Sequence, residues 1–195
     1  MAQFDQRKIV ALDIGGVCNQ LHKDVCYAEL GYSTETILPE IFLEECIKLE
    51  KGFTTNEHWL QIFSEVTGQR FSKTKLLDVW NAMIGYDIPG MGQAVRTLSD
   101  RYRFVYFSNT SRLHLDEVVR KCSFSHLVTG GIFSFEAGSM KPENHIYSVF
   151  EKTYGIPVAY FDDNVDNIEA AKKRGWNGHV FQDAETFYRI LDTLS

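Results

Sequence analysis

Lys8-Ile9-Val10-Ala11-Leu12-Asp13-Ile14-Gly15-Gly16-Val17 holds a run of four apolar residues that ends in an aspartate, with two glycines close behind it. The run reads as a buried parallel strand whose C-terminal end presents one carboxylate beside a bare backbone turn. In open α/β sheets, ligands bind in the crevice beyond the strand C-termini. An aspartate after an apolar run is weak evidence by itself, because Asp also starts turns. The same ending recurs downstream, where Val158-Ala159-Tyr160-Phe161 runs into Asp162-Asp163-Asn164-Val165-Asp166-Asn167. Two parallel strands that deliver carboxylates to one edge can hold a hard divalent cation between them.

The bulk properties narrow the class. The chain has 195 residues, 44% hydrophobic and 24% charged, an ordinary globular composition that suits one α/β domain with a modest insertion. Its net charge of −6 argues against a general nucleic-acid binder, which would show a basic face. An acidic chain can still bind phosphate through a local metal and a lysine. Cys18, Cys26, Cys46 and Cys122 form no C-x-x-C pair and no zinc spacing, so free thiols in a reducing compartment are expected. The first eight residues are polar and charged, unlike a signal peptide, and no apolar run reaches a membrane span. The expectation is a soluble, cytoplasmic protein with no nucleic-acid or membrane partner.

Strand patterns fall at about 8–12, 103–107, 127–133, 157–161 and 178–181, with helical patterns at 91–101, 112–121, 143–154, 165–174 and 184–194. Gly175 follows Lys172, Lys173 and Arg174, as expected just past a helix C-terminus. Alternation of this kind implies βαβ units and a parallel sheet, a Rossmann-like three-layer α/β core. The segment 19–88 departs from it and reads as helices only, at 37–51, 57–66 and 73–84, with Thr55 as an N-cap. A helical block inserted after the first strand would stand over the strand ends as a cap. The division expected is a core of 1–18 and 89–195 with a cap of 19–88.

Four groups follow strand ends or open helices in one chain order: Asp13, then Ser108-Asn109-Thr110, then Lys141-Pro142-Glu143, then Asp162, Asp163, Asp166 and Asn167. Taken singly, Ser108 reads as a turn or helix cap, Lys141 as a solvated lysine, and the last cluster as an acidic helix N-terminus. Together they point to a shared site. Asp-Ile-Gly-Gly-Val at 13–17, Ser-Asn-Thr-Ser-Arg-Leu-His at 108–114, Met-Lys-Pro-Glu at 140–143 and Phe-Asp-Asp-Asn-Val-Asp-Asn-Ile-Glu-Ala-Ala at 161–171 carry a resemblance. In their order the chain resembles, end to end, the haloacid dehalogenase (HAD) superfamily of phosphohydrolases. The helical insert is similar to the cap of its first subclass, and the motifs to the branch with bacterial α-D-glucose-1-phosphate phosphatases.

The resemblance implies a Mg²⁺-dependent phosphomonoesterase acting on a small phosphorylated metabolite, sugar phosphates first. It makes Asp13 the nucleophile that forms an aspartyl-phosphate. Asp13, Asp163 and the Gly15 carbonyl would be the metal's protein ligands, with Asn167 and Asp162 supporting. Ser108, Asn109, Gly16 and Lys141 would bind the phosphoryl group, Lys141 neutralising charge. Arg112 reads equally as a substrate contact or as a surface residue paired with an acid, and His114 leans to a structural role. The chain departs from most of the superfamily's phosphatases at Gly15, where they carry a second aspartate as general acid and base; the glucose-1-phosphate branch also shows glycine. A substrate with a better leaving group, a substitute such as His22, Asp24, His114 or a bound water, or loss of catalysis would each account for it. Two other readings stand beside the phosphatase: a metal-free 2-haloacid dehalogenase, and a silent member that binds a phospho-ligand or a protein. Monomer and homodimer are both open.

Overall fold

The computed structural model describes residues 6–194. The chain starts with β1 (Lys8–Leu12) and β2 (Asn19–Leu21), followed by helices α1 (Lys23–Glu29), α2 (Glu40–Glu50), α3 (Asn56–Val66) and α4 (Lys73–Ala82). It returns through β3 (Ile84–Asp87), α5 (Met91–Leu98), β4 (Tyr102–Ser108), α6 (Arg112–Lys121), a short 3₁₀ turn and β5 (Val128–Phe133). It ends with α7 (Ser134–Ala137), α8 (Asn144–Tyr154), β6 (Ala159–Asp162), α9 (Val165–Lys173), β7 (Gly178–Val180) and α10 (Ala184–Thr193).

Five of the strands form a parallel sheet ordered β5-β4-β1-β6-β7. Alternation along each strand sends side chains to two covered faces. Val10, Leu12, Phe104, Tyr106, Ala159 and Phe161 pack with residues of α5, α6 and α10. Ala11, Val105, Phe107 and Tyr160 point the other way, against α8, α9 and Trp176. The result is the three-layer α/β core expected from the strand–helix alternation. β1 lies at the centre, with Leu12 level with Tyr106 of β4 and Phe161 of β6. The residues that follow, Asp13, Phe107-Ser108 and Asp162, therefore emerge at one sheet edge.

The inserted segment forms its own apolar cluster. Phe42, Trp59, Phe63, Leu76 and Trp80 are buried in it, with the Phe42 and Phe63 rings stacked at 4.7 Å. Thr55 and Ser72 cap α3 and α4 by accepting the amides of His58 and Lys75. The segment is not helical throughout, as the sequence suggested. β2 and β3 pair antiparallel at its two ends, Leu21 opposite Ile84. Three- and four-residue strands are too short to show a period of two, and Ile84, read as the end of a helix, joins this ribbon after α4 stops at Ala82. Helix α1 was likewise missed.

Phe150 of α8 is fully buried, its ring 5.1 Å from Phe107 and 5.0 Å from Trp176. Phe150→Ala is expected to lower unfolding stability by about 3–5 kcal/mol in urea titrations. Ile37→Ala, at a side chain 91% exposed, should change it by less than about 0.5 kcal/mol.

Candidate functional site

A cavity of about 610 Å³ opens beyond the C-terminal edge of the sheet, lined by Asp13, Ser108, Asn109, Lys141, Asp163 and Asn167 from the core. From the inserted segment, Leu21, Lys23, Glu50, Met83 and Ile84 line it too. Each group arrives on a rigid element. The Asp13 amide donates to the Phe161 carbonyl at 2.9 Å, continuing the β1–β6 ladder by one residue. The Ile14 carbonyl accepts the amides of Cys18 and Asn19, which folds the glycine loop back on itself.

Lys141 is held by the loop before α8. The Asn109 side chain donates to the Lys141 carbonyl at 2.9 Å and accepts the Lys141 amide at 2.7 Å. That double bond to the end of β4 fixes where the lysine enters. Its ammonium, 1% exposed, donates to Asp13 Oδ1 at 2.9 Å, Asp162 Oδ2 at 2.6 Å and the Phe107 carbonyl at 2.7 Å. An ammonium has three donors, and all three are engaged.

Asp162 is fully buried and serves as an anchor. Besides Lys141, it accepts the Asn164 amide at 2.8 Å, Asn167 Nδ2 at 3.0 Å and the Tyr160 hydroxyl. Burial alone would raise its carboxyl, but Lys141 and these donors hold it below its ordinary value. Burial likewise opposes the Lys141 charge, and Asp13 and Asp162 outweigh it, raising the lysine. Asp13 goes the other way. Burial pushes its carboxyl up to about 6, and the Asp162 charge adds to the rise while Lys141 and Ser108 oppose it. Asp163 is also raised, by burial and then by Asp162.

Asp13, Asp162 and Asp163 each offer an oxygen within 4.8 Å of the others. Asp162 already has four donors on its oxygens, which leaves Asp13 and Asp163 as the open pair. Two features fit a cation there. Gly16 has φ +74°, and a Cβ built on it would fall 2.3 Å from Asp163 Oδ2, so only glycine lets that carboxylate approach the loop. Asn167 Oδ1 is buried without a hydrogen-bond partner, on a side chain that lines the cavity, an acceptor suited to a metal-bound water.

Asp13, Gly15, Ser108, Asn109, Lys141, Asp163 and Asn167 thus share one cavity wall, with Asp162 behind it and Gly16 under Asp163. Arg112 does not join them. It is exposed, pairs with Glu136 at 3.0 Å and lies over the Phe135 ring, the surface arrangement that the sequence left open. His114 reaches the cavity but stacks on Trp80 at 4.6 Å and shares a hydrogen bond with the Trp80 carbonyl. Burial depresses it to about 4, so it is neutral at physiological pH. Sequence reasoning missed Tyr160, although its i, i+2 spacing from Asp162 puts both on one face of β6. It also missed Leu21, Lys23 and Glu50. Leu21 bears on the glycine: a Cβ at Gly15 would lie 2.8 Å from Leu21 Cδ1, so leucine fills the space beyond that position.

No protein-family model matches the chain, and no curated protein matches it in sequence. Solved structures share its fold. A HAD-family enzyme from Bacteroides thetaiotaomicron superimposes with a TM-score of 0.81 at 19% identity, over 96% of this chain and 99% of that one. The wild-type form of that enzyme in complex with magnesium and inorganic phosphate gives 0.76 at 20% identity, over 91% of this chain and 95% of that one. A predicted HAD-like family hydrolase from Porphyromonas gingivalis gives 0.76 at 17%, over 97% and 98%. An L-2-haloacid dehalogenase from Xanthobacter autotrophicus, with chloropropionic acid covalently bound, gives 0.64 at 15%, over 89% and 76%.

Removing Asp162 would leave Lys141, Asn167 and Tyr160 without their shared acceptor. Asp162→Ala is expected to cost about 3–5 kcal/mol of stability, measured by thermal or urea unfolding. A loss below about 1 kcal/mol would show that the buried network is not what holds the three strand ends together.

Proposed function

We propose that this chain is a HAD-superfamily phosphohydrolase that cleaves small phosphate monoesters, with sugar phosphates as the first substrate class and Mg²⁺ as cofactor. The observation that carries the reading is the Asp13–Lys141–Asp162 chain with Asp163 beside it: one carboxylate poised for attack, one fixed cation, and a second carboxylate free for metal. Lower support comes from the magnesium and phosphate complexes of the Bacteroides enzyme. We further assign 1–18 and 89–195 to the catalytic core and 19–88 to a first-subclass cap, whose ends the β2–β3 ribbon ties together. The glucose-1-phosphate phosphatase branch remains the motif-based assignment. Four free cysteines accord with a reducing, cytoplasmic setting, and no described helix is long and apolar enough to cross a membrane.

The chemistry follows from the charges. A phosphate monoester dianion repels nucleophiles, so its cleavage depends on positioning and charge neutralisation. Asp13 would attack phosphorus through the oxygen not bound to Lys141, and the leaving oxygen would depart on the opposite side. Ser108 and the Asn109 amide would bind the phosphoryl oxygens, while Lys141 offsets negative charge on the Asp13 side. Mg²⁺, held by Asp13, Asp163 and the Gly15 carbonyl, would supply further neutralisation of the phosphoryl oxygens. Asp162, buried and fully bonded, keeps Lys141 charged and in place. The metal-free dehalogenase reading gives no reason for Asp163 beside Asp13, and a silent binder gives none for a buried lysine held against a carboxyl that burial raises.

Phosphate release from a panel of sugar phosphates is expected to require Mg²⁺, to stop with EDTA, and to fall about 10³-fold or more in Asp13→Asn. Release that persists in EDTA would contradict the reading. Metal binding needs deprotonated carboxylates, so Mg²⁺ affinity should weaken as pH falls through about 6, where Asp13 takes up its proton. Calorimetric titration at about pH 7.5 and about pH 5 checks this. Equal affinity at both would contradict the assignment of Asp13 as ligand.

A further inference from the structure

We infer that Glu50, on the inserted segment, is the general acid and base of the reaction at Asp13. The inference rests on the phosphohydrolase reading above. An alkyl or sugar phosphate leaves as an alkoxide, which needs a proton, and nothing at Gly15 can provide one. The cavity walls hold few candidates. Asp13 is the attacking group, Asp163 belongs with the metal, and all three Lys141 donors are engaged. His114 is neutral and tied to the Trp80 carbonyl. Glu50 remains, together with Lys23.

Glu50 is the last residue of α2 and lines the cavity, partly buried. Its carboxylate makes no hydrogen bond or ion pair with any described residue, and the charges that bear on it are Lys23 on α1 and Asp13 after β1. The segment that carries it is fixed to the core on the next two residues. Lys51 pairs with Glu143 at 2.5 Å, in the loop that leads from Lys141 into α8. Gly52, at φ +70°, lies so close that a Cβ there would come 2.2 Å from the Phe135 carbonyl. These two contacts hold the end of α2 against the core, and Glu50 just before them lines the cavity shared with Asp13. Burial raises this carboxyl to about 7, with Lys23 opposing and Asp13 adding to the rise, so it carries a proton in a useful fraction of molecules near neutral pH.

In the first step an Asp13 oxygen bonds to phosphorus as the ester P–O bond breaks, and the departing oxygen's electron pair takes the Glu50 proton. This leaves phospho-Asp13, a free alcohol and a Glu50 carboxylate. In the second step a water oxygen bonds to phosphorus and loses a proton to Glu50, the bond from phosphorus to Asp13 breaks, and inorganic phosphate and the protonated Glu50 are restored.

The test compares kcat/KM of wild type, Glu50→Gln and Lys23→Gln on phosphate monoesters of rising leaving-group pKa, from p-nitrophenyl phosphate to simple alkyl and sugar phosphates. This parameter covers the steps through leaving-group departure, where the acid acts. Glu50→Gln should lose about 10²–10⁴-fold on alkyl esters and much less on p-nitrophenyl phosphate, while still binding inorganic phosphate. Equal losses on both classes, no loss on alkyl esters, or a leaving-group-dependent loss in Lys23→Gln instead would overturn the inference. Wild type inert toward every ester would overturn the phosphohydrolase reading itself, and this inference with it.

Discussion

The Lys141 ammonium is the constraint on which the site depends. Taking a charged amine out of water costs several kcal/mol unless its donors are matched. Here they are matched by groups from three different strands: Asp13 after β1, Phe107 in β4 and Asp162 in β6. The lysine therefore ties the strand ends to one another and ties the loop before α8 to all of them. Asp162 is committed to the lysine and stays ionised. Asp13 accepts from the lysine through one oxygen, and burial, with the Asp162 charge adding to it, raises its carboxyl despite that bond. Two neighbouring aspartates thus shift in opposite directions, Asp162 held down by Lys141 and its other donors and Asp13 pushed up by burial.

The glycine loop and the inserted segment build on that frame. Gly16 lets Asp163 come within reach of Asp13, and Gly15 leaves space that Leu21 fills. With glycine at 15 and leucine beyond it, that position offers no acid or base. We assign proton transfer to Glu50 on the insert, which makes the anchoring of its segment through Lys51 and Gly52 part of the site. On the proposed reaction, the groups at the sheet edge would neutralise charge and the insert would handle the protons.

Much of this was legible in the sequence because the signals were local. An apolar run ending in Asp marks a strand end at both Asp13 and Asp162, and the fold places them side by side. The register of β1 with β4 and β6 accounts for Ser108 joining them. What escaped was tertiary. The β2–β3 ribbon has too few residues for a period. Which of the two readings of Arg112 holds depends on Glu136 and Phe135, which fold back from another element. Glu50 looks like any solvated glutamate at the end of a helix, and only the packing of the insert on the core puts it among the residues that line the cavity. Asp162 was read as merely supporting, since adjacent aspartates do not reveal which one turns inward.

The central claim is that the Asp13 carboxylate takes the phosphoryl group. The most direct test is to acid-quench the enzyme during turnover of a phosphate monoester and follow the protein by intact mass and peptide mapping. The account expects one added phosphoryl group, located on Asp13 and absent from Asp13→Asn. Steady phosphate release with unmodified protein at every quench time, or a phosphoryl group on another residue, would contradict it.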